Sequence, residues 1–303
     1  MNREDWRGVI PAITTPFTVD GSVDHALLGR HAAWMVEQGC RGVVALGSLG
    51  EGGCLDSQER MQVLGTLVAA VGTRVPVIAG IAALSTRQAA GFARDAQRAG
   101  CSGLMVLPPY VYGGRWEELR AHMSEVIGAT DLSCMLYNNP IAYGTDVLPE
   151  QVAELAAGHA NLHAVKESSA DVRRVTAIRS LLGDRLAVFV GVDDVLVEGV
   201  AAGAVGWIAG LVNALPKESV KLFDLARAGR WDEAFGLYRW FLPLLRMDTT
   251  YDFVQLIKLV QAEVGMAGLG GAAVRPPRML PEGAELERVL GAIRACLKSQ
   301  PKV

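Results

Sequence analysis

The sequence contains no run of about 18 apolar residues, the length needed to cross a bilayer. It also has no excess of basic charge. Its 29 Lys and Arg stand against 32 Asp and Glu, leaving −3, without the electrostatic footprint of a nucleic-acid binder or of a protein held on an anionic membrane. Cysteine is sparse. The five residues Cys40, Cys54, Cys101, Cys134 and Cys296 are odd in number and show no CxxC spacing. That argues against a disulfide scaffold and points to free thiols, buried as small hydrophobes in a reducing cytoplasm. The opening residues, Met1 to Trp6, are acidic and lack the apolar core of a signal peptide. His25, His31, His159 and His163 are scattered and form no ligand set, and His122 with Glu125 is expected on a solvated mid-helix face. Expected partners are therefore small molecules or further copies of the chain, with no nucleic acid, membrane or metal.

What is present is apolar and periodic. Half of the 303 residues are apolar, and the length suits one large α/β barrel, which needs roughly 250 residues. Apolar runs bounded by glycine and proline alternate with stretches of helical period. The first run reads as a buried strand from Gly8 with its end near Thr14-Thr15, after which Asp24 caps a helix with Leu28, Ala32, Met35 and Val36 on one face. Further strands are expected at 42–46, 75–80, 103–107, 133–137, 162–166, 186–190 and 205–209, mostly separated by helices. Continuous apolar runs are those of parallel strands buried on both faces. Eight units without a GxGxxG or GxxxxGK fingerprint favour a closed (β/α)8 TIM barrel over an open doubly wound sheet. Beyond a helix opened by Pro216, three helical stretches form a C-terminal appendage, giving a barrel domain at 1–228 and a helical extension at 229–303.

Barrel enzymes work at the C-terminal ends of their strands. Here those ends carry the polar residues: Thr14-Thr15, Gly47-Ser48-Leu49-Gly50-Glu51, Pro108-Pro109-Tyr110, Tyr137-Asn138-Asn139-Pro140, Lys166-Glu167-Ser168-Ser169 and Gly191-Val192-Asp193-Asp194. Strand alternation puts Leu162, Ala164, Lys166 and Ser168 on one face, pointing into a barrel. A water-poor interior disfavours a lysine's charged form and frees its lone pair for attack on a ketone or imine. The competing reading is a lysine snorkelling at a strand end. Tyr137, one strand away, can relay protons or merely fill the barrel. The amides of the Gly47-Ser48-Leu49-Gly50 turn can hold a carboxylate, or the turn is an ordinary βα connection. Asp193 and Asp194 read as an N-cap for the helix from Val195.

At these residues the sequence resembles the dihydrodipicolinate synthase/N-acetylneuraminate lyase family of class I aldolases and dehydratases, over nearly its whole length. Gly47-Ser48-Leu49-Gly50-Glu51 is similar to that family's Gly-Thr/Ser-x-Gly-Glu turn, Tyr137-Asn138-Asn139-Pro140 to its Tyr-Asn-x-Pro, and Val165-Lys166-Glu167 to the segment of its Schiff-base lysine. The resemblance implies a homotetrameric barrel without metal or organic cofactor, in which Lys166 attacks the C2 carbon of a 2-oxo or cyclic imino acid. It also implies that Tyr137 and Ser48 relay protons and that Tyr110 reaches a neighbouring subunit's site. Gly47, Ser48, Leu49 and Ile208 would line the substrate, the amides of Ser48 and Leu49 gripping its carboxylate. Two departures disfavour lysine-pathway synthesis. Ala142 stands where the synthases carry an arginine for a second carboxylate, and Leu49 replaces a hydroxyl residue of their turn. The segments 138–144, 166–174, 191–194, 206–213 and 238–241 look more like the 1-pyrroline-4-hydroxy-2-carboxylate deaminases. Pyruvate-dependent aldolase or 4-hydroxy-tetrahydrodipicolinate synthase-like activity is the alternative within the class, and a non-catalytic ligand sensor the alternative outside it.

Overall fold

Each of the eight apolar runs contributes one strand in the computed structural model, which describes residues 1–266 and 272–302. They are β1 (Gly8–Pro11), β2 (Val43–Ala45), β3 (Val77–Ile81), β4 (Gly103–Val106), β5 (Ser133–Asn138), β6 (Leu162–Glu167), β7 (Ala187–Val190) and β8 (Gly206–Ala209). The strands pair in parallel in the order β1-β8-β7-β6-β5-β4-β3-β2. The ring closes between β1 and β2 through the Ala12–Val44 bridge and the Ile13 amide, which donates to the Val44 carbonyl at 2.9 Å. The result is the expected TIM barrel.

Helices fill the intervals: α1 (His25–Glu37), α2 (Ser57–Val71), α3 (Thr86–Arg98), α4 (Trp116–Ile127), α5 (Pro140–Tyr143), α6 (Pro149–Gly158), α7 (Arg173–Leu182) and α8 (Leu196–Ala201). Their starts follow from local chemistry. Asp24, Asp56 and Ser85 accept backbone amides at the N-termini of α1, α2 and α3, and Pro149 opens α6, where its missing N–H is no loss. After β8 come α9 (Pro216–Arg227), α10 (Trp231–Leu245), α11 (Phe253–Glu263) and α12 (Gly283–Lys298), so three helices extend the chain beyond α9 as expected.

Two apolar layers result. Inside the ring, Ile10, Val44, Ile78, Met105, Met135 and Phe189 interdigitate, and Trp6 closes the N-terminal end, edge-on to Phe189 with its indole N–H on Ser133 Oγ at 2.7 Å. Outside, the other face of each strand packs against the helices. Burial of each large aliphatic side chain contributes about 1.5–3 kcal/mol, so both layers favour the closed ring. Polar groups collect at the opposite, C-terminal end.

Three expectations need correction. Leu162 packs in the outer layer, not on the face of Lys166, because the pairing with β5 slips between Cys134 and Met135 and skips His163. Such a bulge inserts one residue and reverses the alternation before it. The first strand ends at Pro11, since Thr14 and Thr15 are spent on tertiary bonds: the Thr14 amide to Asn213 Oδ1 (3.1 Å) and Thr15 Oγ1 to the Gly50 carbonyl (2.6 Å). His122 is buried rather than solvated, with Nδ1 bonded to Thr86 Oγ1 at 3.0 Å, because α4 packs that face on α3. Glu125 beside it is exposed.

One ion pair fastens the extension to the barrel. Lys258 on α11 donates to Glu51 Oε1 at 2.6 Å, to the Thr15 carbonyl at 2.8 Å and to the Ala273 carbonyl at 2.7 Å, with side chains 1% and 0% exposed. Arg275 adds its amide to Glu51 Oε2 at 3.0 Å and its guanidinium to Glu59 on α2. Losing one partner of a buried pair strands the other charge, so Lys258→Ala is expected to lose about 3–5 kcal/mol of unfolding free energy in a urea titration. An unchanged midpoint would contradict the account. The Arg275 guanidinium holds the Glu59 carboxyl down to about 2 from its ordinary 4.5. Stability from this pair is therefore complete above pH 4.5 and lost as pH falls toward 2. Both side chains are partly solvated, so the Glu59→Gln deficit should be only about 1 kcal/mol at pH 7, narrowing to nothing in acid.

Candidate active site

The turn after β2 is bracketed by two residues in the left-handed region, Leu46 at φ 63° and Glu51 at φ 53°. A non-glycine residue adopts that region at a cost of about 1–3 kcal/mol, so the surroundings must impose it. They do. Glu51 is clamped by Lys258 and the Arg275 amide, and Thr15 Oγ1 holds the Gly50 carbonyl. Among the described residues the amides of Ser48, Leu49 and Gly50 meet no protein acceptor, so they make a nest for an anion. Gly47 and Leu49 are buried, the Leu49 side chain in the outer core, while the Ser48 side chain faces the site.

Across the mouth, Tyr137 and Lys166 are direct partners on β5 and β6. The Lys166 amine lies 4.1 Å from the centroid of the Tyr137 ring, and both residues are buried. The amine meets the π face rather than the hydroxyl. The phenol oxygen instead accepts from Asn139 Nδ2 at 2.9 Å. Behind the pair, Asn138 donates to Glu167 Oε2 at 3.1 Å and accepts the Val147 amide at 2.9 Å, while Glu167 Oε1 takes the Ser169 amide at 2.7 Å. This outward network fixes both strand ends, and burial raises the Glu167 carboxyl above its ordinary value.

Tyr143 is the residue that reading the sequence missed. Asn139 caps the four-residue helix α5 by accepting the Ala142 amide at 3.0 Å, and Gly144 ends it in the left-handed region at φ 68°. That single turn swings Tyr143 over the site. Its ring stands edge-to-face to Tyr137 (5.8 Å) and to Tyr110 (5.7 Å), and its hydroxyl bonds Ser48 Oγ. Burial pushes the Tyr143 phenol well up, the Tyr137 and Tyr110 phenols adding to it, and burial likewise raises Tyr110. Tyr110 thus meets Tyr143 within its own chain. Two phenols, Tyr137 and Tyr143, lead from the buried lysine to Ser48, and Tyr110 packs against the second.

Ile208 is buried in the inner layer of the barrel. Past β7, Gly191 gives Lys166 its room: a Cβ there would stand 2.7 Å from Lys166 Cε. The expected capping role of Asp193 is corrected. Its carboxylate turns inward, accepting the Trp207 indole at 2.9 Å and the Leu211 amide at 2.8 Å, because the loop after β8 offers it backbone donors. Burial pushes this carboxyl up to about 6, with those donors opposing. Among the described residues no group of three His, Cys, Asp or Glu is placed to hold a metal ion.

A desolvated amine, an anion nest and adjoining phenols inside a (β/α)8 ring define an enzyme of the class I aldolase type, which works through a lysine imine. The chain belongs to the dihydrodipicolinate synthetase family, whose model matches residues 5–293. A 4-hydroxy-tetrahydrodipicolinate synthase of Pelobacter propionicus is 32% identical over 95% of this chain and 97% of its own, and one of Geotalea uraniireducens is 35% identical over 90% and 92%. Among solved structures, YagE, a prophage protein of this family from E. coli K12 in complex with pyruvate, superposes with a TM-score of 0.90 at 26% identity, covering 96% of this chain and 99% of its own. A monomeric dihydrodipicolinate synthase variant gives 0.89 at 26% identity, covering 97% and 96%. The family's chemistry is a covalent lysine–pyruvate imine, and this chain is a Schiff-base lyase or synthase.

Filling the space at Gly191 should push aside the Ser168 hydroxyl and the Lys166 side chain, both side-chain atoms, while leaving the strand framework in place. Gly191→Ala is expected to lower the rate of borohydride trapping with pyruvate at least tenfold, with the melting temperature within a few degrees of wild type. Trapping at the wild-type rate would contradict the assigned geometry.

Proposed function

We propose that this enzyme is a Schiff-base deaminase of a cyclic imino acid, 1-pyrroline-4-hydroxy-2-carboxylate. In this reading residues 1–228 carry the chemistry and 229–303 brace it. The Ser48 and Leu49 amides, with Gly47 and Ile208 beside them, seat the substrate carboxylate so that its C=N carbon faces the Lys166 amine. Addition of the amine and opening of the ring leave an imine on Lys166 and a free amine on C5. The imine draws electrons from C3, whose proton leaves through Tyr137 or a water, and the C4 hydroxyl then departs as water. A proton shift makes C5 an imine. Hydrolysis at C5 and at Lys166 releases ammonia and 2-oxoglutarate semialdehyde, with a net uptake of one water. Ser48, Tyr143 and Tyr110 would return protons, and raised phenol pKa values suit donors rather than phenolate bases.

The observation that carries this reading is the makeup of the β5–α6 connection. Ala142 is exposed at the position where a synthase needs a cation for its second carboxylate, and the next residue, Tyr143, closes over the nest. A second reading, condensation of pyruvate with an aldehyde, is favoured by the synthase names of the relatives. Assembly as a homotetramer, with Tyr110 completing a neighbouring site, is part of the proposal. The expected result is stoichiometric ammonia from the hydroxypyrroline acid, falling by about 10⁴-fold or more in Lys166→Ala. Condensation of pyruvate with an aldehyde, and no ammonia, would replace the deaminase by the second reading.

A further inference from the structure

Gly191 and Gly210 each lie one residue past the end of their strands, β7 and β8, but the strand register sets Gly191 opposite Ile208 and Gly210 two residues nearer the mouth. Each continues the inward set of that strand, after Phe189 and Ile208 respectively. The space over Gly191 is taken first by Ser168 Oγ and then by the Lys166 side chain. The space over Gly210 is taken by a residue from outside the barrel: a Cβ on Gly210 would stand 2.6 Å from Asp248 Cγ. Asp248 lies in the single turn Arg246–Thr249 that follows α10, so the helical extension delivers a carboxyl to the barrel mouth. Neighbouring strands are about 4.8 Å apart and two residues of rise add roughly 6.6 Å, so this carboxyl stands one step above the amine at the mouth of the β7–β8 gap, near enough for Lys166 to act on its charge.

No hydrogen bond within the protein occupies Asp248 among the described residues, whereas Asp193 on the other side of Gly210 has four. A second group waits there unpaired. Ser168 Oγ, on a residue with no exposed surface, has no partner and also lies against Gly191. A buried hydroxyl without a partner is costly, by about 1–3 kcal/mol, unless a ligand satisfies it. Burial and the facing Asp193 raise the Asp248 carboxyl, Lys166 opposes, and Asp194, itself paired with Arg246 at 3.6 Å, adds to the rise.

We propose that Asp248 is the acid that serves the oxygen on the carbon two bonds from the imine carbon. This rests on the proposed deamination, where that oxygen is the C4 hydroxyl. Once C3 has lost its proton, the enamine pair moves to form the C3=C4 bond, the C4–O bond breaks, and the Asp248 carboxyl proton passes to the departing oxygen. Water leaves, the lysine iminium is restored, and Asp248 remains a carboxylate until solvent reprotonates it. The extension is then part of the chemistry as well as a brace.

Asp248→Asn tests it, with Gly210→Ala as a second variant that displaces the carboxyl without removing it. Ammonia release from the hydroxypyrroline acid should fall at least about 100-fold in both, the scale of a lost general acid. Borohydride trapping with pyruvate should stay within twofold of wild type, which a merely structural role would not spare. Release within twofold of wild type in Asp248→Asn, or loss of trapping in step with turnover, overturns the proposal. If wild type releases no ammonia, the deaminase reading fails separately. The same variants are then compared in pyruvate–aldehyde condensation, where the oxygen in question is the aldehyde's. A 100-fold loss there upholds the role of Asp248, and no loss removes it.

Discussion

A buried amine resting on an aromatic face, inside a ring that is otherwise hydrocarbon, is the contact on which the rest of this molecule turns. Eight parallel strands can close only if their inward side chains fill the ring, and a filled ring admits polar groups at its open end alone. Lys166 reaches that end because β6 stops there and because Gly191 beside it has no side chain. Tyr137 supplies the surface it lies on. The β5–β6 register sets the two residues directly opposite each other.

The second constraint is backbone strain. The nest after β2 depends on two left-handed residues, and the conformation persists because a fully buried ion pair holds Glu51 from the far side of the chain. Removal of two charges from water is recovered only with good geometry, and Lys258 satisfies all three of its donors. The helical extension thereby sets the shape of a loop formed more than 200 residues earlier in the sequence, a separation of 207 between Lys258 and Glu51. The shape of the turn after β2 and the packing of the C-terminal helices are one problem in this fold.

Much of this was legible in the sequence, for identifiable reasons. The strands announce themselves as apolar runs between glycines and prolines, and the βα period puts Tyr137 and Lys166 on adjacent strands. Ser48 and the turn around it follow from glycine spacing. The failures are equally local. Tyr143 sits in a helix of four residues, too short to show any period, and its place is set by the Asn139 cap. Asp248 belongs to the extension, and nothing in sequence ties position 248 to the space above Gly210. Leu162 departs from simple alternation because of a bulge, which leaves no mark in a row of apolar residues. Asp193 carries the residue type of a cap but finds better donors across the mouth.

The central claim is that the imine forms on one amine. Reduction of the working enzyme with borohydride in the presence of pyruvate, followed by digestion and mass mapping, reads this directly. The account predicts a single adduct, carried by the peptide that contains Lys166. An adduct on any other lysine, or none while the enzyme still turns over, would contradict it.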